Sequence, residues 1–505
     1  MTELQTWAAG VVCAGFEGLQ LDAPLQERLA QTPLAGLIFF GRNVENVQQA
    51  HELTAQIRQV YANPIVAIDQ EGGRVARLRE GVEELPSMMA LAATGDLSLA
   101  QRAGEQIAFD LRRAGVNVDF APVLDLALFA DNTVIGARSF GDDPRSVTSF
   151  AQAFATGMRA QGIVPTFKHF PGHGSTERDS HLELPVIEED ERVLRSRDFV
   201  PFQQLLPSSE AVMTAHVVVN ALDPERPATV SRRILTGLLR EEMGFAGVCF
   251  TDCMEMDAIA KGIGSAAAAV QALAAGADCI LVSRTFTIVQ DSISGIVDAV
   301  QSGVLPESRL YEAYERVSAL RKRLQPPLAV DDVPPHRGIG LEIGRRAVTV
   351  VRGTARAQAG DSIVVSFEGA TNEGVQGLHT EHSALPAPTP LPLVQAALDP
   401  DPGCVHAAIE RVRSSGKRPI VLMRRAHVYR KQWDAVQSLL DHFPDALIVS
   451  VREPFDALAL DRAEHVLCTY GDDAPSLAGL CEVIFGSAEP LGHLPVHDIR
   501  EVAGR

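Results

Sequence analysis

The run Lys168-His169-Phe170-Pro171-Gly172-His173-Gly174-Ser175-Thr176-Glu177-Arg178-Asp179-Ser180-His181 places three histidines, a lysine and an acid–histidine pair within fourteen residues. It follows the apolar Gly162-Ile163-Val164-Pro165-Thr166-Phe167, which reads as a buried strand. The Pro-Gly-His-Gly turn can continue neither strand nor helix, so the polar groups fall at a strand's carboxyl end and on the loop beyond it. Asp179 and His181 are one residue apart and can meet if the backbone bends. An aspartate facing one imidazole nitrogen fixes the tautomer, stabilises the imidazolium and leaves the other nitrogen for acid/base work. The same Asp-x-His pattern also occurs as plain solvated loop charge.

Other segments carry reactive groups at similar places. Gly247-Val248-Cys249-Phe250 leads into Thr251-Asp252, so Asp252 ends a buried strand. A carboxylate there can attack an electrophilic sugar carbon and form a covalent ester. It can equally cap a helix, since Glu255 stands three residues on and an Ala-rich stretch follows. Asp69-Gln70-Glu71-Gly72-Gly73-Arg74 also follows a strand, and its glycine pair would let backbone and substrate approach closely. Lys168 and His169 can donate to ligand hydroxyls or to a buried carboxylate such as Asp119. Arg138, in an irregular segment, suits paired hydroxyls or an internal salt bridge.

The elements that must position these groups follow from periodicity. Up to about residue 325, short apolar runs alternate with longer amphipathic stretches, the pattern of repeated βα units. The predicted strands are Val11-Phe16, Gly36-Phe40, Pro64-Asp69, Val116-Asp125, Gly162-Phe170, Ala211-Val219, Val248-Asp252 and Ala277-Ser283. That count matches a (β/α)8 TIM-like barrel, whose active site lies at the strands' carboxyl ends. Asp69, Asp125, Lys168, His169, His216 and Asp252 all fall at or near such ends; a doubly wound sheet would not need so many ends to converge. The expected organisation is a barrel over 1–325, a Pro-rich linker over 326–337, where paired prolines interrupt a basic helix, and an α/β sandwich domain over 338–505. In that second domain the predicted strands are Ser362-Phe367, Pro419-Met423, Ala446-Val451 and His465-Tyr470, with Ala384-Pro392 as a surface loop.

Composition narrows the function further. The 505 residues carry a net charge of −19, which repels phosphate backbones and anionic lipid, so neither a nucleic-acid nor a membrane partner is expected. The seven cysteines lie mostly in apolar runs, as Cys13, Cys249, Cys253, Cys279 and Cys468 do, and suit reduced core residues of a cytoplasmic protein. Trp7 to Phe16 is too short and lacks the basic start of a secretory leader. Although His169, His173, Asp179 and His181 are close, they lack a zincin spacing, and an adjoining lysine would repel a cation, so no metal is expected. No GxGxxG fingerprint opens a helix, and no cofactor is expected.

Taken together these segments resemble family 3 glycoside hydrolases, specifically the bacterial β-N-acetylglucosaminidase branch. The resemblance rests on Lys168-His169-Phe170-Pro171-Gly172-His173-Gly174 with Asp179-Ser180-His181, and on Asp69-Gln70-Glu71-Gly72-Gly73-Arg74, Asp119-Phe120-Ala121-Pro122-Val123, Val134-Ile135-Gly136-Ala137-Arg138-Ser139-Phe140 and Thr251-Asp252. It implies Asp252 as nucleophile and His181 as general acid/base paired with Asp179. It also implies that Asp69, Arg138, Lys168 and His169 hold the hydroxyls of a terminal N-acetylglucosamine, with His216 lining the site. The implied activity is that of a retaining exo-β-N-acetylglucosaminidase acting on peptidoglycan fragments, muropeptides or related glycosides. Transfer to phosphate, a β-glucosidase activity, or a non-catalytic sugar-binding protein are the alternatives. Ser175 departs from the family, many members of which carry an acidic or amide residue there. Over the second domain the likeness is confined to Gly486-Ser487-Ala488-Glu489-Pro490-Leu491-Gly492-His493-Leu494-Pro495-Val496. In many relatives of this branch the barrel alone is the enzyme, so the resemblance implies that this domain is structural or an interaction surface.

Overall fold

A computed structural model describes residues 1–176, 184–372, 378–380, 385–386 and 391–497. Eight strands form a closed barrel: β1 Val12–Ala14, β2 Gly36–Phe39, β3 Ile65–Ile68, β4 Val118–Asp119, β5 Val164–Phe170, β6 Ala211–Thr214, β7 Val248–Cys253 and β8 Cys279–Val282. Each pairs in parallel with its sequence neighbours, and β8 returns to β1 through Val12 opposite Ile280 and Ala14 opposite Val282. The strands are almost wholly apolar because both faces are covered. Alternate side chains go to different clusters: Cys13, Ile38, Ala67, Val118, Met213, Phe250 and Leu281 fill one, while Val12, Leu37, Val66, Val212, Cys249 and Ile280 join the other. That two-residue alternation is the pleat of a strand.

Seven of the eight predicted runs contain a whole barrel strand, and the run Val248-Asp252 falls one residue short of β7. The fourth is much shorter than expected, pairing only over Val118–Asp119. Beyond it the Ala121–Pro122 peptide is cis, Pro122 can donate to no ladder, and Val123 meets Lys168 in an isolated bridge. Phe120 to Asp125 therefore forms part of the barrel's upper rim. The strand-flanking helices are stopped and started by local chemistry. Asp96 caps Leu97–Arg113, and Asp143 caps Pro144–Ala160, whose proline occupies the first turn where no N–H is needed.

After the helix Glu307–Arg321 the chain forms no helix or strand until Ile339. This connection lies along the helix Leu97–Arg113, where Arg112 donates to the Pro326 carbonyl at 2.9 Å and Arg113 to that of Val330 at 2.8 Å. Six strands then form a second sheet: β9 Thr349–Arg352, β10 Ser362–Glu368, β11 Leu393–Ala397, β12 Arg418–Met423, β13 Leu447–Ser450 and β14 His465–Cys468, in the order β9-β14-β13-β12-β10-β11. Only β9 runs antiparallel to its neighbour. Ile363, Val365, Val421 and Ile448 share a cluster with the helices Pro402–Ser415 and Arg430–His442, whereas Val364, Ile420, Leu422 and Val449 share one with Ala474–Ile484. Helices thus cover both faces, which makes an α/β sandwich. The four predicted strands are present. The two that sequence reading missed, β9 and β11, are the edges, where partly exposed side chains weaken the hydrophobic signal. Of the predicted loop Ala384-Pro392, residues 385–386 and 391–392 are described and carry no regular structure.

Candidate active site

The carboxyl ends of β3 and β5 meet in a buried ionic cluster. Lys168, 1% exposed, places Nζ 2.8 Å from Asp69 Oδ1 and 2.6 Å from Glu71 Oε1. Glu71 in turn receives two hydrogen bonds of 2.8 Å from Nε and Nη2 of Arg138, a fork that matches guanidinium to carboxylate. Burial alone would push the Glu71 carboxyl up, but Arg138 and Lys168 hold it at about 2. Burial would lower the Lys168 ammonium, and Asp69 and Glu71 instead raise it. Glu71, Lys168 and Arg138 are therefore ionised throughout the neutral range. Of the alternatives open for Arg138, the structure contains the internal salt bridge. Lys168 pairs with Asp69 and Glu71 rather than with Asp119, whose Oδ1 accepts the Gln70 amide at 2.9 Å.

His169 lies against this cluster, its Nε2 3.5 Å from Arg138 Nη2. Its Nδ1 is 2.6 Å from Asp125 Oδ2, while Asp125 Oδ1 accepts the His173 amide at 2.6 Å. Burial would raise Asp125, yet the facing His169 and His173 leave its carboxyl below the ordinary value. His173 is held down at about 4, first by burial. Its Nδ1 lies 3.0 Å from the Thr176 hydroxyl.

Across the barrel mouth, Asp252 stands next to last in β7. Its Oδ1 accepts the Cys253 amide at 2.7 Å. It caps no helix: the next one, Asp257–Ala260, begins beyond Met256, and Glu255 accepts the amides of Arg284 and Thr285. The capping alternative is thereby removed. His216, 1% exposed, bridges Thr229 Oγ1 at 2.8 Å and the Cys253 carbonyl at 2.9 Å, so it fixes the backbone next to Asp252. Asp179 and His181 lie outside the described residues. The chain leading towards them is described as far as Thr176. Ser175 is buried there, donating to Asp198 Oδ1 and accepting from Arg197 Nη2 at 2.8 Å. Asp198 thus brings to Ser175 an acidic group of the kind that many family members carry at that position itself.

Sequence reasoning overlooked Glu71 and Asp125 as parts of this cluster. Glu71 was visible in Asp69-Gln70-Glu71, and Asp125 at the end of its apolar run, but neither spacing shows that two strands bring them to Lys168 and His169. At the glycine pair another stretch of backbone does approach closely. Gly72 has φ +100°, and a Cβ there would lie 2.8 Å from the Pro86 carbonyl, so the glycines admit the chain at 85–87. The second domain reaches the same rim: Asp472 Oδ1 is 3.9 Å from Arg74 Nη1, and Ser87 donates to the Tyr470 carbonyl at 2.8 Å. Among the described residues no three His, Cys, Asp or Glu side chains gather as metal ligands, and no helix is long and apolar enough to cross a membrane.

Residues 5–320 match the family model for the glycosyl hydrolase family 3 N-terminal domain. The chain belongs to glycosyl hydrolase family 3. Among relatives in this family, a β-hexosaminidase of Pseudomonas aeruginosa is 42% identical over 303 residues, covering 60% of this chain and 90% of that protein. A β-hexosaminidase of Methylococcus capsulatus is 39% identical over 289 residues, covering 56% and 85%. The solved structure of a family 3 β-N-acetylglucosaminidase from Paenibacillus sp. strain FPU-7 superposes with a TM-score of 0.92 at 31% identity, over 98% of this chain and 99% of that one. The family 3 barrel followed by a sheet domain is therefore shared along the whole chain.

Proposed function

We propose that this family 3 glycoside hydrolase is a retaining exo-β-N-acetylglucosaminidase that removes terminal N-acetylglucosamine from peptidoglycan-derived fragments in the cytoplasm. The observation that carries the reading is the placement of a carboxylate that caps no helix, Asp252, at the same barrel mouth as the Asp69–Lys168–Glu71–Arg138 cluster. The relatives named for hexosaminidase activity support the sugar class. The seven unpaired cysteines suit a reducing compartment.

In this mechanism Asp69, Arg138, Lys168 and His169 hold the sugar hydroxyls, and His216 fixes the turn beside Asp252. Protonated His181, oriented by Asp179, donates to the leaving oxygen while Asp252 attacks the anomeric carbon. Neutral His181 then takes a proton from the water that cleaves the covalent ester, and Asp252 leaves as a carboxylate. The barrel over 1–325 supplies these groups, joined by 326–337 to the sandwich domain over 338–505.

The deciding experiment compares p-nitrophenyl N-acetyl-β-glucosaminide with the β-glucoside, with and without inorganic phosphate, and follows the first-formed anomer by NMR. Preference for the N-acetyl sugar and initial release of the β-anomer are expected. Initial α-anomer would overturn retention, and accumulation of sugar 1-phosphate would make phosphorolysis the reaction.

A further inference from the structure

The segment from Ala130 to Arg138 carries the guanidinium of the ionic cluster, yet it contains only one short turn of 3-10 helix, Gly136–Arg138. Besides its own turn hydrogen bonds, such as Thr133 N to the Asp131 carbonyl at 2.9 Å, it is held from outside. Three side chains of the second domain grip its backbone: His427 Nε2 is 3.0 Å from the Ala130 carbonyl, Arg425 Nη2 donates to the Thr133 carbonyl at 3.2 Å, and Glu453 Oε1 accepts the Ala137 amide at 3.3 Å. The approach is close enough that a Cβ on Gly136 would lie 2.2 Å from Glu453 Oε1. Arg425 and Glu453 are themselves paired at 2.9 and 2.6 Å and almost fully buried.

His427 is the unusual member. Its Nδ1 lies 2.7 Å from Asp456 Oδ1, so both ring nitrogens face acceptors. A neutral imidazole has one N–H and can satisfy only one of them, whereas an imidazolium satisfies both. The charged neighbours agree. Asp456 on the helix Phe455–Ala459 and Glu453 before it favour the cation, Arg425 opposes it, and the barrel segment presents the Ala130 carbonyl. Burial would lower this histidine, but Asp456 outweighs burial and the net shift is upward.

The gripped segment also reaches the chain that follows β5. Asn132 Oδ1 accepts the Ile135 amide at 3.1 Å, and its Nδ2 donates to the His173 carbonyl at 3.0 Å, just beyond β5. We propose that Arg425, His427 as an imidazolium, and Glu453 form a clamp through which the second domain positions both Arg138 and the backbone at His173. The consequence for catalysis rests on the functional reading given above. The clamp is a set of positioning residues: none of the three is placed against the sugar. It gives the sandwich domain a task in the barrel's chemistry. It also makes that task sensitive to pH, because the His427 grip on Ala130 weakens as the imidazolium loses a proton to alkaline solvent.

The test uses the full chain with His427→Ala and His427→Gln, the glutamine amide being a donor that does not titrate. Hydrogen exchange of amides 130–138 is read by mass spectrometry in the unliganded proteins, and kcat and KM on p-nitrophenyl N-acetyl-β-glucosaminide are read from pH 6 to 9. With His427→Ala, exchange in 130–138 should quicken about tenfold while the core strands stay protected, and kcat/KM should fall about tenfold, mostly through KM. His427→Gln should restore most of both at neutral pH. The wild-type to Gln ratio of kcat/KM should then decline as pH rises. Unchanged exchange in His427→Ala, or a pH-independent ratio, would overturn the clamp. If wild type does not turn over the glycoside, the functional reading fails and the exchange result alone judges the clamp. Should His427→Ala not fold, Glu453→Gln, which loses the Arg425 pair, is measured in its place under the same criteria.

Discussion

Asp125 sits behind His169 with its Oδ2 2.6 Å from the ring Nδ1, fixing which nitrogen carries the proton and turning Nε2 toward Arg138. The same carboxylate accepts the His173 amide, so one buried aspartate sets the geometry at the end of β5. Replacing it by asparagine keeps the shape but removes the charge that His169 and His173 face. Asp125→Asn should lower kcat/KM by about 10- to 100-fold, the scale of a lost charge-assisted hydrogen bond, and the loss should be greater for the N-acetyl-β-glucosaminide than for thermal stability. Equal activity in wild type and variant would mean that His169 needs no such partner.

Asp252→Ala should abolish turnover, with kcat reduced by at least about a thousandfold. Its melting temperature should stay within a few degrees of wild type, since Asp252 caps no helix and its Oδ1 bond is to the adjacent Cys253 amide. Residual activity within tenfold of wild type, measured on an aryl N-acetylglucosaminide, would contradict its assignment as nucleophile.

For His181, the informative measurement is a leaving-group series. His181→Ala should cost far more with poor leaving groups than with activated aryl glycosides, because only the former need protonation. Asp179→Asn should give the same pattern less severely. A uniform loss across the series in the glycosylation step would assign the acid to another group.

His173 links stability to pH. Burial holds its imidazole at about 4, against an ordinary value of 6.5. Between those values the unfolded chain binds the proton and the native state does not, so the stability present above pH 6.5 is lost as the pH falls towards 4. Asp473, pushed up to about 6 by burial, acts in the opposite direction over part of this range. The comparison is therefore between wild type and His173→Gln. The melting temperature of wild type should drop more steeply between pH 7 and 4.5 than that of the variant; parallel curves would show that His173 does not resist protonation.

Much of the fold was legible because its signals are local. The eight barrel runs are continuous apolar stretches with charged residues at their ends, and a parallel sheet covered on both faces requires that pattern. Asp69, Lys168, His169, His216 and Asp252 could be placed at strand ends on the same grounds. The edge strands Thr349–Arg352 and Leu393–Ala397 were not legible, since an edge tolerates exposed and polar side chains.

The sequence by itself determined the residue types at each strand end, the alternation that closes the barrel and the likeness to family 3. It could not determine which charges meet. Glu71 lies 67 residues from Arg138 and Asp125 lies 44 from His169, and these pairs form only because neighbouring parallel strands deliver their carboxyl ends to one rim. The grip of His427 on Ala130 spans 297 residues and two domains. Nothing local marks it, because Ala130 contributes a backbone carbonyl that every residue possesses. Only the docking of the sandwich against the barrel, which brings that carbonyl and the Asp456 carboxylate to opposite sides of one imidazole ring, decides that His427 faces two acceptors.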